Sequence, residues 1–200
     1  MKGIYAILDE SNFNFSSLEK SVEYMIKYNI KIFQIRIKSS FSKKNISIIK
    51  KIKFLCKNHK CLLILNDNVD LANELELDGV HVGSGDADIS SVRSTLGENK
   101  IIGVSCYNDI NLALSSEKLG ASYISFGSLY KTTTKLNPIN LDISTVKNAS
   151  KILKIPICLI GGINTNNVHD VIKLNCDLIA ISKGLSSKNK IENISKIYYE

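Results

Sequence analysis

Charged and polar residues in this chain sit where short apolar runs end. The run Phe33-Gln34-Ile35-Arg36-Ile37-Lys38 alternates, so Gln34, Arg36 and Lys38 share one face of a strand and the apolar residues share the other. A guanidinium fork beside an ammonium suits a diphosphate, because Arg binds paired oxygens and Lys adds a point charge. The plainer reading is an exposed amphipathic strand; Arg36 being one of only two arginines favours the anion site. A second run ends Leu65-Asn66-Asp67-Asn68, and a third passes through Asp78-Gly79-Val80-His81-Val82-Gly83 to Asp86. Asp67 and Asp86, just past adjacent strands, can share one Mg²⁺, which takes one or two protein carboxylates and fills its shell with water and substrate phosphates. The competing role is helix capping, by Asp67 or Asn68 for one helix and by Asp86 or Asp88 for the next.

Other candidates sit at the same rim. Ser105 closes the run Gly103-Val104-Ser105 and offers a hydroxyl. Thr132, Thr133, Thr134 and Lys135 lie in a long polar loop that reads either as a substrate cover or as solvated surface. Gly161-Gly162 and Ser182-Lys183-Gly184 follow the last two apolar runs, and glycines there let backbone N–H groups approach a phosphate. His81 lies inside an apolar strand and reads as a satisfied core histidine with no role.

Positioning these groups requires strands and helices in alternation. The candidate strands are Gly3–Leu8, Lys31–Ile37, Cys61–Leu65, Gly79–Val82, Ile101–Val104, Tyr123–Phe126, Ile157–Ile160 and Leu178–Ile181. Amphipathic patterns such as Phe15–Tyr28 and Lys43–Cys56 lie between them. Several strands are apolar without alternation, as strands covered on both faces are. The order predicts a (β/α)₈ barrel spanning residues 1–200 as one α/β domain, with a doubly wound open sheet as the alternative. In a barrel, functional groups gather at the C-terminal ends of the strands. The candidates above all fall there.

Composition narrows the class. The 200 residues are 44% hydrophobic and 22% charged, which excludes whole-chain disorder. No apolar run approaches the roughly 18 to 20 residues of a membrane span, and the start carries no signal-peptide pattern, so a cytoplasmic protein is expected. The net charge of +7 comes from 26 basic residues of which only Arg36 and Arg93 are arginines. Without clustered aromatic platforms beside the lysines, that charge does not read as a nucleic-acid surface. Five scattered cysteines give no disulfide framework, and Cys56, His59 and Cys61 lack a fourth zinc ligand, so the thiols read as small buried hydrophobes. The sequence does not set the oligomeric state; a homodimer is one option.

The motifs together resemble one family. Gln34-x-Arg36-x-Lys38, Asn66-Asp67-x-Val69-Asp70-Leu71-Ala72, Asp78-Gly79-Val80-His81-Val82-Gly83-x-x-Asp86, Ile102-Gly103-Val104-Ser105, Thr132-x-Thr134-Lys135 and Ile160-Gly161-Gly162-Ile163 occur in the order seen in thiamine-phosphate synthases. The resemblance covers Tyr5 to about Leu185. It implies a (β/α)₈ barrel that joins 4-amino-2-methyl-5-hydroxymethylpyrimidine diphosphate to 4-methyl-5-(2-hydroxyethyl)thiazole phosphate and releases diphosphate. It further implies that Gln34, Ile35, Arg36, Ile37, Lys38, Asn66, Ser105 and Lys135 hold the pyrimidine diphosphate, with Arg36, Lys38, Ser105 and Lys135 catalytic. Asp67 and Asp86 would ligate Mg²⁺, and Thr132, Thr133, Thr134, Gly162, Ser182 and Lys183 would hold the thiazole phosphate. The implied mechanism is dissociative: diphosphate leaves, and the thiazole nitrogen captures a pyrimidine-methyl cation.

The chain departs from that pattern in three places. Gly127-Ser128 stands where the family usually has Gly-Pro, and Ser182-Lys183 where it has Val-Ser or Ile-Ser. The last helix, near Ile191–Tyr199, is short for the element that closes a barrel. A thiazole-tautomerase paralogue and a non-catalytic phosphate-binding barrel are the rival readings. Retention of Arg36, Asp67, Asp86 and Lys135 together argues against both.

Overall fold

The computed structural model describes residues 1–83, 88–131 and 141–200. Its parallel strands form one closed ring in chain order: β1 Gly3–Asp9, β2 Ile32–Arg36, β3 Leu62–Asn66, β4 Gly79–Gly83, β5 Ile101–Tyr107, β6 Tyr123–Phe126, β7 Ile157–Ile160 and β8 Leu178–Ile181. The helices between and after them are α1 Leu18–Lys27, α2 Lys43–Asn58, α3 Val69–Glu74, α4 Ile89–Leu96, α5 Ile110–Lys118, α6 Ile143–Ile152, α7 Val168–Ile172 and α8 Lys188–Tyr199. Pairing of Gly3 to Ala6 with Leu178 to Ile181 closes the ring, which removes the open-sheet alternative.

Local chemistry sets where the helices begin. Ser42, Asn68, Asp88, Asp109 and Asp142 each accept a backbone N–H of the first turn of α2, α3, α4, α5 and α6. The caps of α3 and α4 are therefore Asn68 and Asp88, and Asp67 is left out of capping.

Period two along each strand sorts side chains into two cores. Ile4, Ala6, Leu8, Phe33, Ile35 and Ile37 point outward and pack with the helices. Tyr5, Ile7, Ile32, Ile64, Tyr123, Cys158, Leu178 and Ala180 fill the barrel itself. The same parity carried to the strand ends turns Asp9, Gln34, Arg36, Asn66, His81, Ser105 and Ser125 inward at the top, where they line a cavity.

The last helix corrects one expectation. α8 starts at Lys188, ahead of the expected start near Ile191, and it is well anchored. Glu192 accepts hydrogen bonds from Tyr24 of α1 and from Tyr28 just past its end, and the Tyr199 hydroxyl donates to the Asn29 carbonyl at 2.9 Å. The closing contact is thus tied by side chains as well as by the β1–β8 ladder. Opposite the cavity, Arg93 donates to the carbonyls of Gly97, Lys100 and Gly120 at 2.9, 2.7 and 2.6 Å, clasping the starts of β5 and β6. Cys56 and Cys61 are buried, and burial pushes the Cys56 thiol up to about 12, so without a partner it stays protonated like a small hydrophobe. No cluster of three or more metal-ligating side chains exists among the described residues. Among the same residues, no helix is long and apolar enough to cross a membrane.

Candidate active site

A cavity of about 810 Å³ opens at the C-terminal ends of the strands. Of the residues singled out from sequence, Gln34, Arg36, Lys38, Asn66, Asp67, Ser105, Gly162, Ser182 and Lys183 line it. Ile35 and Ile37 do not: both are buried among the helices, so their side chains face away from the cavity. Alternation in β2 requires this, because neighbours of an inward Gln34 and Arg36 must point out. Asp86, Thr132, Thr133, Thr134 and Lys135 lie outside the described residues.

One half of the mouth is built from charged side chains. Asp9, buried at the end of β1, pairs with the Arg36 guanidinium and accepts from the backbone and hydroxyl of Ser11. Burial alone would raise the Asp9 pKa, yet the bonds from Ser11 and then Arg36 outweigh it and hold the carboxyl below its ordinary 3.8. Arg36 is thereby fixed in direction with part of its fork still exposed to the cavity. Next to it, the Glu10 carboxylate accepts the backbone N–H groups of Lys38 and Ser39 at 2.6 and 2.7 Å, which pins the turn that presents Lys38. Lys38 pairs with Asp67, whose backbone takes a positive φ of 65° at the corner between β3 and α3. Because Asn68 does the capping, the Asp67 carboxylate is free to face the cavity.

The other half is built from backbone. Gly161 and Gly162 have φ of 115° and 65°, conformations that residues with a Cβ rarely adopt. A Cβ on Gly162 would lie 2.7 Å from the Lys131 carbonyl, and one on Gly184 would lie 2.5 Å from the Ile163 carbonyl. The Gly162 carbonyl is held by the amides of Asn164 and Asn167 at 3.0 and 3.1 Å. The Ser182 hydroxyl accepts from the Asn12 amide at 3.1 Å, leaving its own proton for the cavity. Lys183 is exposed at the rim, and Lys131 and Lys190 join it around the cavity. Ser128, which follows a cis peptide bond, lines the wall between the two halves and donates to the Tyr130 carbonyl at 2.6 Å.

The floor holds what sequence reasoning missed. Tyr5 and His81 line the cavity, and Tyr123 lies directly beneath them, fully buried. His81 is satisfied, as expected of a core histidine, with Nδ1 2.8 Å from the Tyr123 hydroxyl and Nε2 2.9 Å from Ser105 Oγ. It nevertheless reaches the cavity, which the expectation of no role did not include. The signal was available: the parity that placed Gln34 and Arg36 inward, applied to β1 and β6, puts Tyr5, Asp9 and Tyr123 inside as well.

Comparison with known proteins agrees with this geometry. The sequence profile described as thiamine monophosphate synthase matches residues 4–185. A thiamine-phosphate synthase of Nitrosomonas eutropha is 36% identical over 98% of this chain and 92% of its own length. One from Wolinella succinogenes is 37% identical over 94% of this chain and 86% of its own. The solved thiamine phosphate pyrophosphorylase from Pyrococcus furiosus superposes with a TM-score of 0.85 at 28% identity, covering 97% of this chain and 94% of that one. With the profile spanning nearly every strand and the charged and glycine halves of the mouth both in place, the chain belongs to the thiamine monophosphate synthase family.

Proposed function

We propose that this chain is a transferase that condenses the pyrimidine diphosphate with the thiazole phosphate by a dissociative route, with the two substrates assigned to opposite halves of the mouth. The observation that carries the reading is the convergence of Arg36, Lys38 and Asp67 on one side of a single cavity and of Gly162, Ser182 and Lys183 on the other. Gln34, Asn66 and Ser105 hold the pyrimidine diphosphate, together with backbone at Ile35 and Ile37 and with Lys135. Thr132, Thr133 and Thr134 join the thiazole-phosphate side.

The chemistry asks for charge stabilisation more than proton transfer. The bond between the pyrimidine methylene carbon and the diphosphate oxygen breaks with its electron pair on oxygen. Arg36, Lys38 and Lys135 lower the cost of that developing charge, and they do so without reorganising because Asp9 and Glu10 have already set the direction of the first two. The lone pair of the thiazole nitrogen then closes the new C–N bond, so no general base is required. A benzyl-type cation would be captured by water, and the apolar walls Ile7, Cys158, Ile160 and Ala180 keep water away from it.

Mg²⁺ fits the donors of this site. Asp67 offers a hard, half-buried carboxylate that capping does not consume, and a cation of this kind needs only one or two such ligands beside phosphate oxygens. Asp67, with Asp86, would hold the ion, whose chemistry when bound is neutralisation of diphosphate charge. Mixing the protein with both substrates and measuring diphosphate release tests the reading. Release that needs both substrates and is abolished by EDTA is expected. Absence of release with thiazole phosphate still bound would favour the tautomerase or binding-barrel alternative.

A further inference from the structure

Six non-glycine residues take a positive φ among the described residues, and their places in the chain sort them. Asn29, Lys60 and Glu76 come just after α1, α2 and α3. In each case the next residue's N–H reaches back to a carbonyl of the helix, that of Met25, Cys56 or Ala72. Asn175 follows α7 and bonds back to Ile172. A left-handed residue in such a place is an ordinary way to end a helix. The remaining two stand at the C-terminal ends of strands, Asp67 after β3 and Tyr107 at the end of β5, and both line the cavity. Asp67 already has a place in the proposed function; Tyr107 has none.

The turn at Tyr107 favours other side chains. The Cys106 carbonyl accepts the Asp109 N–H at 2.8 Å, so Tyr107, at φ 52°, is the first central residue of a tight turn. The turn accounts for the φ, yet glycine, Asn and Asp are the residues that suit such a position. A bulky ring held there is an outlier, and strain of this kind collects at ligand sites. The pairing of β5 with β6 also shifts register between Ser105 and Tyr107, an irregularity of the sort that re-aims a side chain at a barrel rim. Tyr5 and His81 lie on the floor, so among the described residues Tyr107 is the one aromatic residue lining the mouth.

We propose that Tyr107 is a substrate-contacting residue whose ring stacks on the thiazole ring, and that the turn keeps its strain for the sake of that face. The wall to which Tyr107 belongs leads to the backbone half of the mouth. Its carbonyl accepts the Gly127 N–H at 3.0 Å, and just beyond, the Leu129 and Tyr130 N–H groups bond to the carbonyls of Ile160 and Gly161 at 3.0 and 3.1 Å. That half holds the thiazole phosphate in the function proposed above, and naming the ring rests on that reading. The preference for a flat, conjugated ring does not, since an aromatic face gains most from another one offset against it.

The test exploits a sequence without tryptophan. Tyr107→Trp in the full chain keeps an aromatic face and gives the protein a single indole. Thiazole phosphate should quench its emission saturably, while inorganic phosphate, which brings no ring, should leave it unchanged. Emission that ignores thiazole phosphate overturns the proposal, and so does equal quenching by both ligands.

The second arm needs no reporter. Tyr107→Asn suits the turn, so its thermal midpoint should match or exceed that of wild type. Its Kd for thiazole phosphate, measured by calorimetry, should rise roughly tenfold, the cost of one stacking contact. Tyr107→Phe keeps the face and should bind within about twofold of wild type. A lowered midpoint with unchanged Kd in Tyr107→Asn would make the ring a packing residue and overturn the proposal. Binding by Tyr107→Phe as weak as that by Tyr107→Asn would overturn it too. Diphosphate release by wild type separates the two readings. Quenching by thiazole phosphate without release removes the synthase and leaves the stacking face standing; release with a silent indole and an unchanged Kd removes the face alone.

Discussion

In the function proposed above, the two halves of the cavity mouth share one task, holding phosphate, and they are built from different parts. Around β1 to β3 the work falls to side chains: Asp9 and Glu10 orient Arg36 and Lys38, and Asp67 answers Lys38 across the rim. Around β7 and β8 it falls to backbone, with Gly162 and Gly184 kept bare because any Cβ would strike a neighbouring carbonyl. The first half carries charged side chains already set in direction, suited to a charge that grows during reaction. The second offers fixed dipoles suited to a phosphate that stays the same throughout. The difference predicts that lesions in the first half damage turnover and lesions in the second damage affinity.

The sharpest way to break that division is at Asp67. Asn is the right replacement, since it has nearly the same shape and tolerates a positive φ. We expect Asp67→Asn to lower kcat on the order of 10²-fold, with Mg²⁺ dependence shifted to higher concentration and the thermal midpoint close to wild type. Steady-state kinetics across a Mg²⁺ series checks this. A near-wild-type kcat would detach Asp67 from the charged half.

Asp9 ranks next, and its effect falls on stability. Its folded pKa is depressed, so its stabilising contribution is fully present above the ordinary 3.8 and is lost as pH falls through the lower folded value. Asp9→Asn leaves the Arg36 charge without its partner and should cost about 2 kcal/mol at neutral pH. Below pH 3.8 the gap between the two proteins should narrow, because wild type loses the same interaction on protonation. Urea midpoints at neutral and acid pH measure both. A gap that persists at low pH would mean that packing, not charge, dominates at that position.

Gly162→Ala probes the backbone half. With φ at 65° and a Cβ 2.7 Å from the Lys131 carbonyl, the added methyl must push the turn aside. The KM for thiazole phosphate should rise roughly tenfold, with kcat within about threefold of wild type. A drop in kcat with unchanged KM would contradict the assignment of fixed dipoles to the unreacting phosphate.

How far the sequence anticipated all this also differs between regions. The barrel was legible because alternating apolar runs and amphipathic segments have different periods, and the strand positions Tyr123–Phe126, Ile157–Ile160 and Leu178–Ile181 match to the residue. That Arg36 and Lys38 line the cavity was legible because alternation put them on one face with Gln34 at a strand end. The scarcity of arginine weighed against an exposed amphipathic strand. Asp9 was hidden because a single acid at the end of β1 looks like an ordinary loop residue until Arg36 lies beside it. Tyr5, Tyr123 and His81 were hidden for another reason. Their strands read as apolar, and hydropathy does not separate the inside of a barrel from its packed outside. Parity separates them, provided that one strand has been assigned a face and the ring is assumed closed. Ile35 and Ile37 came in by the reverse route, as part of a motif, and their parity sends their side chains outward, which leaves only their backbone for the proposed site.

Lys183 marks the smallest effect and the finest test of the division. It sits in the backbone half, yet it is a charge, standing where the family pattern has serine. Because the side chain is exposed, its attraction to a phosphate works through water and should be worth only about threefold in Kd. Lys183→Ala should therefore weaken thiazole phosphate by that factor and leave the affinity for the pyrimidine diphosphate unchanged. Titrations at rising salt decide what kind of contact it is: an exposed charge loses its advantage as the Debye length shrinks from about 10 Å at 0.1 M toward 3 Å at 1 M. Wild type and variant should then converge, while the Gly162→Ala penalty, which is steric, stays in place. Convergence of both, or of neither, would erase the distinction between a fixed dipole cradle and a charge added to its rim.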